Sequence, residues 1–142
     1  MRFTNSQLEK IFLRSSGYCH ICHQKLVFAH YGMLKAAGGW EVEHSNPQAK
    51  GGTHRLNNLY PACIRCNRAK GDGSSRQARS KHGKKRAPLS TTKRRRAKLV
   101  NALKGSVLGA TTGIVGTIEI ILVLAVLGTV IGFCLNPDRW QD

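Results

Sequence analysis

Two pairs of cysteines, Cys19/Cys22 in YCHICH and Cys63/Cys66 in ACIRCN, are each spaced C-x2-C. A thiolate is a soft donor, and a pair at this spacing lets the backbone turn round an ion as a knuckle. Two pairs therefore offer four sulfurs to a tetrahedral Zn²⁺. Between the pairs lies WEVEHSNPQAKGG, Trp40 to Gly52, where Glu41 and Glu43 precede His44. The chain carries 23 Lys and Arg against 7 Asp and Glu, so carboxylates beside an imidazole are a scarce charge placed at one point. An imidazole titrates near neutrality and accepts a proton from water at pH 7, while a carboxylate holds a hard dication.

The rival to zinc is a pair of disulfides in a secreted domain. It is set aside because the chain opens MRFTNSQLEK, without the charged-then-apolar stretch of a secretory signal. His20 and His23 interleave with the first pair and are alternative ligands, but four sulfurs already fill the shell. Both are read as exposed polar residues of the knuckle. His30, His54 and His82 have no comparable neighbours in sequence and are assigned nothing.

Read onward from Glu41, the chain runs EVEHSNPQAKGGTHRLNNLYPACIRCNRAKGD. An acidic residue before His, then Pro, Lys-Gly-Gly, Asn-Leu and Cys-x2-Cys-Asn-x2-Lys-Gly follow in order, and this resembles the HNH endonuclease family. With the upstream cysteines the resemblance spans residues 19–71. It implies a ββα-metal fold in which His44 is the general base and Glu43 ligates a divalent metal. It also makes Asn67 a second metal ligand at the start of the helix, and has Asn58 pin the connecting loop by hydrogen bonds. Cys19, Cys22, Cys63 and Cys66 match the zinc-binding subset of the family. The family often has Asp or His where this chain has Glu43, which leaves the preferred catalytic metal open between Mg²⁺ and Mn²⁺.

The chemistry behind those roles is general. Cleaving a phosphodiester needs an activated water, a counter-charge for the five-coordinate phosphorus and help for the leaving oxygen. A neutral imidazole serves the first, and a cation on oxygen ligands with open positions serves the others. Glu41, on the same strand face as Glu43, is either an orienting group for a metal-bound water or, more commonly at such positions, a solvated carboxylate; it is left outside the site. Lys50, Arg55, Arg65, Arg68 and Lys70 are placed to bind phosphates. The family favours DNA, and RNA stays open. Aromatic residues are only 6% of the chain, which argues against a platform that stacks single-stranded bases.

The elements that must position these groups fall in three compositional regimes. Residues 1–72 hold four of the five cysteines and five of the six histidines; residues 73–104 hold twelve Lys or Arg and no acid; residues 105–135 hold one charge, Glu119. The first is too short to rest on a hydrophobic core alone and calls for a metal staple. Ser6-Gln7-Leu8-Glu9 has the form of a capping box opening an amphipathic helix that stops at Gly17. Leu26–Phe28 and Trp40–Glu43 read as strands, Leu59-Tyr60 as a brief return strand, and CIRCNRAK as a helix stopped by Gly71. The second regime reads as a basic linker, partly helical after Ser90.

The third regime, followed by a short polar tail at 136–142, predicts a membrane-spanning helix. Gly116 to Leu135 is 20 residues, about 30 Å of helix. The cations before it and the single Arg139 after it predict a single-pass protein with residues 1–104 cytoplasmic, the basic run drawn to anionic lipid. Gly105, Gly109, Gly113, Gly128 and Gly132 recur at fourth positions and allow self-association. The expected fold class is thus α+β: a small zinc-stapled HNH domain, a basic linker and a C-terminal transmembrane helix. The expected function is metal-dependent hydrolysis of DNA at a membrane. Alternatives are a non-catalytic zinc module that anchors nucleic acid there, and a membrane-active tail.

Overall fold

The computed structural model describes residues 3–112 together with 126, 127, 130, 131 and 134. These divide into two compact units, one running to Thr91 and one beginning at Thr92. The first unit opens with helix α1 (Asn5–Leu13). Its cap is Thr4, not Ser6: Gln7 N–H donates to Thr4 Oγ1 at 3.3 Å, and Thr4 N–H donates to Gln7 Oε1 at 2.9 Å. Gln serves as the N3 partner as well as Glu does, so the capping box sits two residues earlier than the Ser-Glu pair suggests. Leu8 and Ile11, three apart, turn inward and are buried.

The chain then makes the first knuckle and reaches Trp40 without the expected strand at 26–28. Residues Phe28–His30 form a 3-10 turn, and pairing there is limited to isolated bridges of Tyr18 with Lys25 and of Tyr31 with Trp40. The physical reason lies at Trp40. Its indole is fully buried, donates from Nε1 to the Phe28 carbonyl at 3.1 Å, and has Phe12, Phe28 and Tyr31 ringed about it at centroid distances of 5.0–6.1 Å. Wrapping that ring requires the chain to turn at Phe28 instead of extending.

Strand β1 (Trp40–His44) pairs antiparallel with β2 (Leu59–Cys63), in a register that sets Trp40 against Cys63 and His44 against Leu59. In a two-stranded sheet both strands are edges, so Pro61 sits within β2 without removing an interior ladder bond. Its carbonyl accepts instead from His20 N–H at 2.8 Å, joining the first knuckle to the hairpin. Helix α2 (Ile64–Lys70) follows β2 without a loop and is closed by Gly71 at φ 51°. Hairpin, helix and Cys pairs thus share one small core built on Ile11, Ile21, Leu26, Trp40 and Leu59.

The compact unit takes in residues that composition reads as linker. Helix α3 (Ser75–Ser80) is capped by Ser74 and packs on α2 with Ser75 buried. The segment after it is tied back by Ser16 Oγ to the Leu89 carbonyl at 2.8 Å and by Thr91 Oγ1 to the Leu13 carbonyl at 3.1 Å. In the second unit, helix α4 (Thr91–Thr112) opens with the basic run KRRRAK. Among the described residues no helix is long and apolar enough to cross a membrane. The expected span at 116–135 and the tail at 136–142 lie outside the described residues, apart from 126, 127, 130, 131 and 134, which are helical.

Replacing Trp40 by Ala removes the largest fully buried side chain of the unit. The expected loss is about 3–5 kcal/mol in denaturant unfolding of the zinc-loaded protein.

Candidate active site and metal centre

The four cysteine sulfurs lie within 4.8 Å of one another, with Cys22 Sγ 3.9 Å from Cys63 Sγ. A tetrahedron with Zn–S bonds near 2.3 Å sets sulfurs about 3.8 Å apart, so the donor set fits a structural Zn²⁺ in number, chemistry and spacing. No disulfide forms among them. Backbone N–H groups of Ile21, Cys22 and Cys63 converge on Cys19 Sγ at 3.3–3.5 Å, the arrangement that supports a thiolate. The Cys22 thiol beside it, aided by Cys66 and by burial, pushes the Cys19 thiol far above its ordinary value against an opposing pull from Cys63. Four sulfurs this crowded ionise together only around a cation.

His20 corrects the expectation of an exposed knuckle residue: it is buried and stacked on Tyr60 at 4.0 Å. Its Nε2 lies 2.8 Å from Arg79 Nη1. Burial first, then Arg79, push its pKa down to about 3, so it is a neutral ring that accepts from the guanidinium. The Arg14 guanidinium lies 4.1 Å from the centroid of the same Tyr60 ring and donates to the Leu56 carbonyl. His23 meets the Arg86 carbonyl at 3.0 Å, and His82, which had no sequence neighbour to mark it, stands 3.6 Å from Cys66 Sγ.

Glu41 and Glu43 alternate onto one face of β1, and Asn67 and Lys70 are three apart on α2, so the two elements meet as matched rungs. Asn67 Nδ2 donates to Glu41 Oε1 at 2.9 Å, with Arg68 3.8 Å from the same oxygen. Lys70 Nζ lies 3.3 Å from Glu43 Oε1, which also accepts from Ser75 Oγ at 2.7 Å. Both partners are interior: the side chain of Lys70 is 3% exposed and that of Glu43 is 0% exposed. Lys70, expected to face phosphate, is instead turned inward. Its remaining donors go to the Gly71 and Gly73 carbonyls at 3.2 and 3.1 Å, because a buried carboxylate needs a counter-charge more than the surface needs another cation.

Burial raises the Glu43 pKa above the ordinary carboxylate range, against the pull of Ser75 and Lys70. Its second oxygen, Oε2, is buried with no hydrogen-bond partner. Asn67, with its NH₂ committed to Glu41, keeps Oδ1. An unpartnered carboxylate oxygen and an amide oxygen are hard donors of the kind Mg²⁺ or Mn²⁺ takes, so the two residues fit such an ion in chemistry. They share no hydrogen bond, and the Lys70 ammonium stands beside Glu43 as its counter-charge.

His44, next along the chain and the last residue of β1, is half-buried. Its Nε2 lies 3.1 Å from Nδ1 of His54, and the amide of Gln48 lies 2.6 Å from Nε2 of His54. Burial, then the nearby His54 and Lys70, lower the His44 pKa below the ordinary imidazole value. Asn58 holds the loop that follows: its Oδ1 accepts from Asn46 N–H at 2.7 Å, and its Nδ2 donates to the Asn46 and Thr53 carbonyls at 3.0 and 2.9 Å. The loop is closed so tightly that a Cβ on Gly52 would strike the Asn46 carbonyl. A groove of ≈ 450 Å³ runs beside it, with Asn46, Lys50, Thr53 and Ser74 on its walls. Lys50, Arg55, Arg65 and Arg68 are exposed.

Residues 19–73 match the HNH endonuclease family model. The HNH match covers less than half the chain but takes in both cysteine pairs, the hairpin, α2 and the loop held by Asn58. No curated protein and no solved structure matches significantly. Within the matched segment, His54, Gln48 and the Glu41–Asn67 contact carry no sequence mark that assigned them to the site. The one available signal was periodicity, two for the strand and three for the helix, which pairs Glu41 with Asn67 and Glu43 with Lys70.

Two outcomes follow. One Zn²⁺ per chain is expected by elemental analysis, and stripping it with a chelator should abolish the near-UV circular dichroism of the folded unit. Lys70→Met strands a buried carboxylate and should cost about 3–5 kcal/mol at pH 7. Because the folded-state pKa of Glu43 is raised, the folded variant takes up a proton before the unfolded chain does. Its stability should therefore recover as pH falls through that raised pKa, which denaturant unfolding at a series of pH values would read.

Proposed function

We propose that the first compact unit is an endonuclease that hydrolyses DNA phosphodiester bonds with His44 as general base and Glu43 and Asn67 as hosts of a divalent cation. The observation that carries the proposal is the half-buried imidazole of His44, next in sequence to a carboxylate with one oxygen lacking a hydrogen-bond partner, inside a segment that matches the family. When bound, a hard dication supplies Lewis-acid stabilisation of the charge that grows on phosphate oxygens.

The chain's own residues do the rest. His44 takes the proton of the attacking water on a ring nitrogen. Asn58 keeps the loop from Ser45 to Thr53 in one shape, so the imidazole and the groove hold a fixed relation. Lys50, Arg55, Arg65 and Arg68 neutralise backbone phosphates without reading sequence, and the net charge of +16 draws a polyanion to the surface. The cysteine clamp joins the first knuckle to the end of β2 and to α2, and β1 pairs with β2, so that Glu43 and Asn67 stay on neighbouring elements.

Membrane tethering is part of the same proposal. Its support is the run from residue 105 to 135 with Glu119 as the one charge, preceded by twelve cations at 73–104. A second reading, a zinc-stapled module that binds nucleic acid without cutting it, draws on one observation: Glu43 is fully buried and already paired with Lys70.

Plasmid nicking with Mg²⁺, with Mn²⁺ and with EDTA separates the two readings. Nuclease action predicts metal-dependent nicking, lowered by about 10²-fold or more in His44→Ala while zinc content and fold persist. Binding that is independent of divalent ions, with no cleavage under any of them, selects the binding module. Full activity of His44→Ala defeats the assignment of the base.

A further inference from the structure

Ser75 lies two residues past the segment that matches the family, in a run whose composition reads as linker, yet its side chain reaches the candidate site. Ser75, Ala78 and Arg79 are the residues of α3 that are not exposed, and their spacing of three and four sets them on one face of the helix. Ala78 packs against the core, and Arg79 Nη1 lies 2.8 Å from His20 Nε2. The N-cap role falls to Ser74, whose Oγ accepts from Gln77 N–H at 3.2 Å. The hydroxyl of Ser75 is left for a contact outside its own helix, and the residue is buried.

That hydroxyl meets a carboxylate whose two oxygens are treated unequally. Ser75 Oγ donates to Glu43 Oε1 at 2.7 Å, an ordinary length for a hydroxyl bond. The Ser45 carbonyl is farther, at 3.3 Å, and a hydroxyl has one hydrogen to give. Lys70 Nζ stands 3.3 Å from the same Oε1. Both donors thus fall on one oxygen, while Oε2 is buried with no hydrogen-bond partner. The two donors act differently. An ammonium is a compact point charge that attracts either oxygen or both, so Lys70 alone would let the carboxylate turn and take it with both. A hydroxyl carried on a packed helix is directional and selects one oxygen.

We propose that Ser75 is a positioning residue: by holding Oε1 it keeps the Glu43 carboxylate turned so that Oε2 is the oxygen offered to the divalent cation. The inference rests on Glu43 hosting that cation. Carboxylates that ligate a metal are themselves held by hydrogen bonds, and losing such a bond weakens metal affinity by about 10–100-fold. Ser75 is a neutral donor, so removing its hydroxyl changes no charge at the site, and Lys70 stays as the counter-charge of Glu43. A change in cation affinity then reports orientation and not electrostatics. Helix α3 belongs on this account to the nuclease unit and not to a linker, because it delivers a hydroxyl to the carboxylate.

The test measures Mn²⁺ binding to the full-length zinc-loaded chain by electron paramagnetic resonance, with plasmid nicking on the same preparations. Ser75→Ala should weaken Mn²⁺ binding by about tenfold or more, with zinc content and near-UV circular dichroism unchanged. The Mn²⁺ concentration for half-maximal nicking should rise by the same factor, while the rate at saturating Mn²⁺ changes little. Ser75→Thr, which keeps the hydroxyl, should restore most of the affinity. Unchanged Mn²⁺ binding in Ser75→Ala overturns the inference, and so does tighter binding, which would make the hydroxyl a cover over Glu43. A Ser75→Ala chain that does not fold, or a Ser75→Thr chain as weak as Ser75→Ala, overturns it by making the residue structural. Asn67→Ala keeps the two claims apart. If it weakens Mn²⁺ binding while Ser75→Ala does not, only the positioning role fails. If neither variant changes the binding, the pair of cation hosts fails and the inference falls with it.

Discussion

The clamp of four thiolates is the constraint on which the rest depends. Cys22 and Cys63 are 41 residues apart in sequence and 3.9 Å apart at their sulfurs, and that contact spans everything of interest. The hairpin, the loop held by Asn58 and the start of α2 all lie within or directly against it. The core contains few large side chains, so apolar burial alone contributes little to ordering the unit. A structural Zn²⁺ contributes about 10–16 kcal/mol of apparent binding energy to folding, which offsets the entropy of closing such loops. The backbone N–H groups around Cys19 show where that energy is directed: they lock the first knuckle onto the N-terminal end of α2.

Given that clamp, the charges arrange themselves by register. Two residues of strand advance about 6.6 Å and three of helix about 4.5 Å, close enough for two rungs to match. Glu41 meets Asn67 and Arg68 on the outer rung; Glu43 meets Lys70 and Ser75 on the inner one. A protein with few acids has thus buried one and half-covered the other against a basic helix. The buried pair contributes little net stability, since desolvation of both charges cancels most of their attraction. Its consequence is positional. Glu43 has one oxygen held and one without a hydrogen-bond partner, next in sequence to the imidazole of His44.

Much of this was legible in the order of residues because chemistry with strict spacing leaves strict spacing behind. The C-x2-C pairs, Glu43-His44, Asn58 before Leu59 and Asn67 after Cys66 marked the clamp, the strand and the helix, and Gly71 marked the helix end. What stayed hidden depended on contacts between distant segments. His54 meets His44 only because a tight loop, with Gly51 at φ 77° and Gly52 against Asn46, folds back on the strand. The strand expected at 26–28 was lost to Trp40, whose ring needs a turn around it. Residues 73–91 looked like a solvated linker because their charge dominates any average. They are held by a handful of groups, Ser75, Arg79 and the Leu89 carbonyl, that composition cannot weigh. Lys70 misled for the same reason: a lysine in a basic stretch reads as surface until its partner is known.

The central claim is that an imidazole and a hard cation, held by one thiolate-clamped scaffold, act on the same phosphate. Titrating Mn²⁺ into the zinc-loaded protein and following its paramagnetic effect by NMR tests this most directly. Selective broadening of the His44 ring and Asn67 side-chain signals, with the cysteine-bound zinc retained, is the predicted result. Saturating Mn²⁺ that leaves both signals sharp would contradict the account.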